Sequence, residues 1–144
     1  MSEPERILAD KARKWMHFAE EDLRLAEHAL QLASGCPYRL IAYHAQQCAE
    51  KYIKAFLVYS DIDFPYTHNI RKLIRLCGDD IFQALQDADA LTPFAVTTRY
   101  PGLDDEVSKP EALSAIALAK KVRRHISRIL IEKGLSMRES DNAP

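Results

Sequence analysis

Three long stretches of the chain repeat apolar residues every three or four positions, and this feature restricts the fold more than any other. In the first stretch, apolar residues recur at these steps from Leu8 to Leu30. Such spacing places them on one face of an α-helix, which turns once every ~3.6 residues. Only 4 glycines and 7 prolines occur in the 144 residues, and they fall between the periodic stretches. The pattern therefore predicts an all-α protein with short connections.

Breakers and caps give the expected ends of the helices. Gly78 is suited to end one short helix in the left-handed conformation, and Asp79 to cap the next. Ser108 and Glu111 have the spacing of a capping box at the start of the last helix. Thr92 and Pro93 are suited to start a further short helical segment before the last helix. The expected helices are residues 6–32, 38–59, 67–77, 80–90 and 108–133.

Three long helices with two short ones between them predict an up-down helical bundle. The length is that of one domain, since roughly 100–200 residues make a domain. We therefore expect residues 1–135 to form a single helical domain and residues 136–144 to form a polar, disordered tail.

Composition excludes several classes of protein. The 20 basic and 21 acidic residues give a formal net charge of -1, so any site for a polyanion must be local. No apolar run approaches the ~18 residues of a membrane span, and the first twenty residues contain charges instead of a signal segment. A cytoplasmic protein is expected. The odd and widely spaced Cys36, Cys48 and Cys77 favour buried thiols over disulfides or zinc, and no motif calls for a metal or cofactor.

The second helix combines an almost complete apolar surface with one narrow polar stripe. His44, Gln47, Lys51 and Lys54 follow one another at steps of three and four residues, beside Glu50. The stripe is either an ordinary solvent-facing surface or the wall of a site. A histidine, an amide and two ammonium groups in one row suit a phosphate-bearing ligand.

Asp22 is the unusual residue of the first helix, because it falls inside the apolar arc. A buried carboxylate needs a partner, since an unpaired buried charge is costly. Lys51, Lys54 or Arg99 can serve, and His44 is a less favoured partner. The pair either fixes the packing of two helices or orients a basic group of a site.

The sequence YHAQQCAEKYIKAFL at residues 43–57 resembles the signature helix of the HEPN (higher eukaryotes and prokaryotes nucleotide-binding) domain family. The resemblance covers about residues 8–132. It extends to the first helix, with AEEDL at residues 19–23 and Ala26, to the middle helix, with THNI at residues 67–70 and Leu73, and to the turn before the last helix, with RYP at residues 99–101.

The resemblance implies a small up-down helical bundle that is frequently a homodimer. It also implies nucleotide or RNA binding, often beside a minimal nucleotidyltransferase in a toxin-antitoxin-like pair. Homodimerisation also agrees with apolar residues expected to stay exposed in or near loops, because symmetric pairing would bury them. These residues are Ile7, Phe64, Tyr66 and Phe94.

Some members of the family are toxin ribonucleases, and for these the resemblance implies an arginine and a following histidine with four to six residues between them, usually near the start of a late helix. The last helix lacks this pair, because Arg123 and Arg124 directly precede His125. Arg39 and His44 have the spacing, but five helical residues separate their directions by about 140°. We interpret this match as a coincidence and keep Arg39 and His44 as the candidate catalytic pair of an alternative function.

The preferred hypothesis is a nucleotide- or RNA-binding protein that acts with a nucleotidyltransferase partner. An endoribonuclease toxin and a non-catalytic dimerisation bundle are the alternatives. A guanidinium beside an aromatic ring suits a phosphate and a stacked base, which adds Arg99 and Tyr100 to the stripe. The expected site is one polar cleft with Asp22 beneath it, lined by His44, Gln47, Lys51, Lys54, Arg99 and Tyr100.

Overall fold

The computed structural model describes residues 1–96 and 106–137, and every regular element in them is helical. The prediction of an all-α bundle with three long and two short helices is confirmed, and one 3₁₀ segment is added. The elements are α1 (Glu3–Ala29), α2 (Tyr38–Tyr59), α3 (Ile70–Leu76), α4 (Asp79–Leu85), the 3₁₀ segment (Gln86–Ala95) and α5 (Lys109–Glu132).

The second helix lies at the centre of the bundle. Both α1 and α5 pack mainly against α2 and touch each other little. Residues 52–57 of α2 are all buried, so this part of the helix is enclosed on every side. The periodic apolar faces of the other helices complete the core, for example at Leu23 of α1 and Ile126 of α5. The nearly continuous apolar surface of α2 thus reflects its central position.

Capping groups set the ends of the helices. α1 begins at Glu3, earlier than expected, because the Ser2 hydroxyl accepts a hydrogen bond from the backbone N–H of Glu5. α3 begins later than expected, because the Asn69 side chain accepts from the N–H of Lys72. The capping box of Ser108 and Glu111 at α5 is present as predicted.

The region between α3 and α5 differs most from expectation. Asp79 is the first residue of α4 and not its cap, because Gly78 occupies the cap position with φ of 101°. That positive φ favours glycine and ends α3 as predicted. The helix expected to Ala90 ends instead at Leu85, and a 3₁₀ segment continues through Pro93 without a restart.

Two of the four apolar residues expected at the surface are exposed. Ile7 and Tyr66 face solvent, whereas Phe64 and Phe94 are partly buried against the core, because the connections that carry them fold over the bundle. No helix in the described part of the chain is long and apolar enough to cross a membrane. Residues 138–144 of the expected tail lie outside the described residues.

Candidate functional site

The polar stripe of α2 lies in a sheltered position between two parts of the fold. On one side, α1 runs antiparallel to α2, so that Asp22 meets the start of the stripe and Trp15 its end. On the other side, the connection from α2 to α3 brings Phe64 and His68 against it. The stripe is therefore not an ordinary solvent-facing surface of a helix.

The outer part of the stripe is organised by Asp22. One carboxylate oxygen, Oδ1, lies 2.8 Å from Nδ1 of His44, and the other, Oδ2, lies 2.5 Å from Nζ of Lys51. The Asp22 side chain is only 11% exposed, whereas those of His44 and Lys51 are 26% and 23% exposed. The carboxylate thus holds two basic groups side by side where the stripe meets solvent.

The Asp22 contact also fixes the orientation of the His44 ring. An ionised carboxylate only accepts hydrogen bonds, so Nδ1 of His44 is the donor. The other ring nitrogen, Nε2, has no hydrogen-bond partner in the described part of the chain. His44 therefore presents Nε2 as the nitrogen that can exchange a proton or bind a ligand.

A second polar cluster lies deeper and surrounds the buried carboxylate of Glu50. Its Oε2 accepts from Nζ of Lys54 at 2.9 Å, and its Oε1 accepts from Nδ1 of His68 at 2.8 Å and from the Gln46 amide at 3.0 Å. The Gln47 amide in turn donates to Oε1 of Gln46 at 2.7 Å. Each buried polar group of this cluster has a partner, as the cost of desolvation requires.

Aromatic rings cover the ammonium group of Lys54. Its Nζ lies 5.7 Å from the ring centre of Trp15, 5.7 Å from that of Phe64 and 6.0 Å from that of Tyr66. These distances fall within the range of cation–π attraction. The Lys54 side chain is 6% exposed, so its charge is compensated inside the fold.

Cys48 is a fully buried residue of α2 within electrostatic reach of Asp22 and Glu20. Burial raises the pKa of its thiol far above the ordinary value, and the carboxylates of Glu20 and Asp22 raise it further. The thiol therefore stays protonated at neutral pH and does not act as a nucleophile. No group of three or more potential metal ligands occurs among residues 1–96 and 106–137.

The structure divides the predicted site residues into three sets. His44 and Lys51 are brought together by Asp22, which contacts the expected lysine and also the less favoured histidine. Gln47 and Lys54 are buried below them. Arg99 and Tyr100 lie outside the described residues.

The alternative catalytic pair does not share a helix face. Arg39 lies within the first turn of α2, so its side chain leaves the helix about 140° from that of His44. The contacts of Gln46 and His68 with Glu50 were not predicted from the sequence. Gln46, Glu50 and Lys54 follow one another at steps of four, and this spacing was the available signal for a hydrogen-bonded row.

Comparison with known proteins agrees with this architecture. A family model described as HEPN domain matches residues 12–129. The crystal structure of TT1696 from Thermus thermophilus matches with a TM-score of 0.69 and 26% identity, over 82% of this chain and 97% of that one. The crystal structure of ST0689, an archaeal HEPN homologue, matches in fold with a TM-score of 0.58 and 24% identity, over 83% of this chain and 97% of that one. No curated protein matches the chain.

Proposed function

The chain belongs to the HEPN domain family, and from this premise we propose that it binds a nucleotide or RNA through the polar stripe of α2. His44 and Lys51 contact a phosphate in this proposal, while Gln47 and Lys54 of the same stripe are buried and pair with Gln46 and Glu50. Arg99 and Tyr100 supply a further phosphate contact and a surface for base stacking. Asp22 positions the two outer basic groups.

The observation that carries this proposal is the bridge from Asp22 to His44 and Lys51. Both basic groups touch one carboxylate, which fixes them beside each other before any ligand arrives. Fixed donors lose little conformational entropy on binding. A charge-assisted hydrogen bond to phosphate contributes about 1.5–3 kcal/mol, so removing one such donor weakens binding by roughly 10- to 100-fold.

The test is calorimetric titration of nucleoside triphosphates and short RNA into the wild type and Lys51→Met. Lys72→Met is the matched control, because Lys72 is an exposed lysine of α3 whose side chain makes no ion pair in the described part of the chain. We expect at least tenfold weaker binding for Lys51→Met and no change for the control. Equal affinities for the two folded variants would refute the α2 site.

An Arg99→Ala variant tests the remaining part of the expected cleft. If Arg99 contacts a second phosphate, the double variant with Lys51→Met loses more affinity than either single variant. The salt dependence of binding should also become weaker, since each contacted phosphate releases counterions. A double variant that binds as tightly as Lys51→Met alone would remove Arg99 from the site.

A second candidate function is RNA cleavage, and the Asp22–His44 pair is the observation that favours it. A carboxylate on Nδ1 holds the imidazole in one tautomer and leaves Nε2 to accept the proton of a ribose 2′-hydroxyl. If the purified protein cleaves RNA, His44→Gln should abolish cleavage and Asp22→Asn should slow it. Loss of cleavage in Arg39→Ala would show that the Arg39–His44 spacing is functional after all.

The assembly that we propose is a homodimer acting with a nucleotidyltransferase-like protein in a toxin-antitoxin-like pair. Exposed Ile7 and Tyr66 are apolar surface that such a dimer can bury. Light scattering at micromolar concentration should give twice the mass of one chain. A monomer mass would contradict the dimer, and failure to co-purify with a nucleotidyltransferase encoded next to it would contradict the partner.

A further inference from the structure

A second surface with concentrated positive charge lies on α5, where the helix borders α1 and α2. It forms a groove of about 610 Å³ that shares no lining residue with the α2 stripe. Lys120, Arg124 and Arg128 follow one another at steps of four residues, which places them in one row about 6 Å apart along the helix axis. The basic lining residues are Lys120, Arg123, Arg124 and Arg128.

Two of these four cations have carboxylate partners. Lys120 is 3.0 Å from Glu27, and Arg123 is 3.4 Å from Glu20. Their charges are therefore largely compensated by α1. The row of cations has a fixed place in the fold because α5 packs its apolar face against α2.

Arg124 and Arg128 have no carboxylate partner in the described part of the chain. Arg128 contacts Nδ1 of His125 at 3.2 Å, where the ring accepts and is therefore neutral. Glu132 also lines the groove but makes no ion pair with either arginine among the described residues. Two uncompensated guanidinium groups thus stand one helical turn apart, with the hydroxyl-bearing Ser127 beside them.

The wall of the groove is built from buried polar contacts. Tyr52 is 3% exposed and donates its hydroxyl hydrogen to Glu20, which also contacts Arg123. Burial and the Glu20 carboxylate raise the pKa of Tyr52, so that it remains a donor. The charge of Glu20 is compensated by Arg123 alone, and the neutral Tyr52 hydroxyl adds a hydrogen bond, so this carboxylate does not face the groove unpaired.

The charged groups around His125, which is next to Arg124 in the chain, are mostly basic. Burial lowers the pKa of its ring, and the neighbouring charges of Arg128 and Lys121 lower it further, while Glu132 acts in the opposite direction. Two of the three charged groups that act on the ring are therefore cations. An anion that enters beside Arg128 meets this environment favourably.

We propose that Arg124, Ser127 and Arg128 form a second phosphate-binding site, which takes the backbone phosphates of a single-stranded RNA. Guanidinium groups bind phosphate oxygens through paired N–H donors. Two arginines one turn apart can contact two successive phosphates of one strand. A free phosphate, in contrast, would engage only one of the two arginines. The choice of RNA as the source of the phosphates rests on the proposed function, whereas the presence of a phosphate site on α5 does not.

The test compares two double variants that remove the same charge. Arg124→Gln with Arg128→Gln removes the proposed site, and Lys72→Gln with Lys109→Gln removes two exposed cations elsewhere. Binding of a fluorescent single-stranded RNA is measured by anisotropy at several salt concentrations, after circular dichroism has shown that both variants fold. We expect at least tenfold weaker binding for the arginine variant and little change for the lysine variant.

The salt dependence supplies a second readout. Loss of two phosphate contacts should reduce the slope of log K against log salt concentration by about 1.4 for a single strand. Equal losses in both double variants would mean a general charge effect and would overturn the site. No loss in either would identify the groove as an ordinary solvated surface and would overturn it as well.

Further measurements separate this site from the α2 stripe and from other phosphate sources. Lys51→Met tests the stripe, so loss of RNA binding in the arginine variant alone supports the α5 site even if the stripe fails. The reverse result refutes the α5 site and retains the stripe.

Titration of inorganic phosphate and of a nucleoside triphosphate tests whether the groove prefers an RNA strand to other sources of phosphate. If these bind the groove as tightly as the RNA strand does, RNA is wrong as its specific ligand.

Discussion

Replacement of Lys54 by methionine tests whether the buried cluster around Glu50 stabilises the fold. Methionine keeps most of the length and apolar contact of the lysine stem but removes the ammonium group. The side chains of Glu50 and Lys54 are 3% and 6% exposed, and their charged atoms are 2.9 Å apart. The substitution therefore leaves a carboxylate buried without its cation.

The expected loss follows from what remains around Glu50. Removing one partner of a buried ion pair costs about 3–5 kcal/mol, because the other charge stays desolvated. Gln46 and His68 still donate to Oε1 of Glu50, so we expect the lower end of that range. The aromatic contacts of the ammonium with Trp15 and its neighbours are lost as well.

Lys121→Met is the matched control, because Lys121 pairs with Asp87 at 2.7 Å but both side chains are about half exposed. An exposed pair contributes less than about 1 kcal/mol. Urea unfolding measures both variants, and with a slope of about 1.5 kcal/mol/M the midpoint of Lys54→Met should fall by about 2 M. Equal midpoints for the two variants would refute the reasoning.

A double variant with Glu50→Gln separates charge from packing. It leaves no buried ion, and its amide oxygen can still accept from Gln46. We expect it to be more stable than Lys54→Met alone. If the loss of unfolding free energy in the double variant is instead the sum of the losses in the two single variants, the losses come from packing and the ion pair contributes little.

Three further predictions test local features of the fold. Ser108→Ala should lower the free energy of unfolding by about 1 kcal/mol through loss of the capping box. Ser114→Ala, on the exposed face of α5, should leave the free energy of unfolding unchanged or slightly higher. Chemical denaturation of the two variants measures the difference. Burial raises the pKa of Cys77 to about 12, so at pH 8 only about one thiol in ten thousand is ionised and mass spectrometry should find it unlabelled by thiol reagents until the protein unfolds. Burial, and after it Arg128, lower the pKa of His125 in the folded state. The unfolded chain therefore binds this proton more readily, and the folded state loses stability as pH falls below the unfolded value of about 6.5. NMR titration should give a higher pKa for His125 in Arg128→Gln than in the wild type, and an unchanged value would contradict the effect of Arg128.

The helices were largely predictable because their information is local. The breakers at residues 34–37 and the aperiodic segment at residues 60–66 predicted the bounds of α2, Tyr38–Tyr59, and the Ser108 capping box predicted the start of α5. The start of α3 was wrong because Asn69 caps in preference to the residues before it. α4 was predicted too long, because a change from α to 3₁₀ geometry leaves the apolar spacing almost unchanged over so few residues.

The depth of the polar stripe was not predictable from the same spacing. Periodicity shows that His44, Lys51 and Lys54 share a face, but it does not show what covers that face. The cover over Lys54 comes from Phe64 and Tyr66, in a connection with no periodic pattern of its own. Two lysines one turn apart on the same helix therefore have different environments, one beside solvent and the other enclosed by rings.

Net charge alone is a poor guide to polyanion binding in this chain. The formal charge of -1 arises from cations and carboxylates that are unevenly placed. Carboxylates of α1 compensate Lys120 and Arg123 on the side of α5 that meets α1, whereas Arg124 and Arg128 have no such partners among the described residues. Since charges beyond about 8 Å are largely screened at physiological salt, a phosphate at the groove responds to these arginines and not to the overall balance. A protein without net positive charge can therefore carry a local site for an anion wherever the fold separates its cations from its carboxylates.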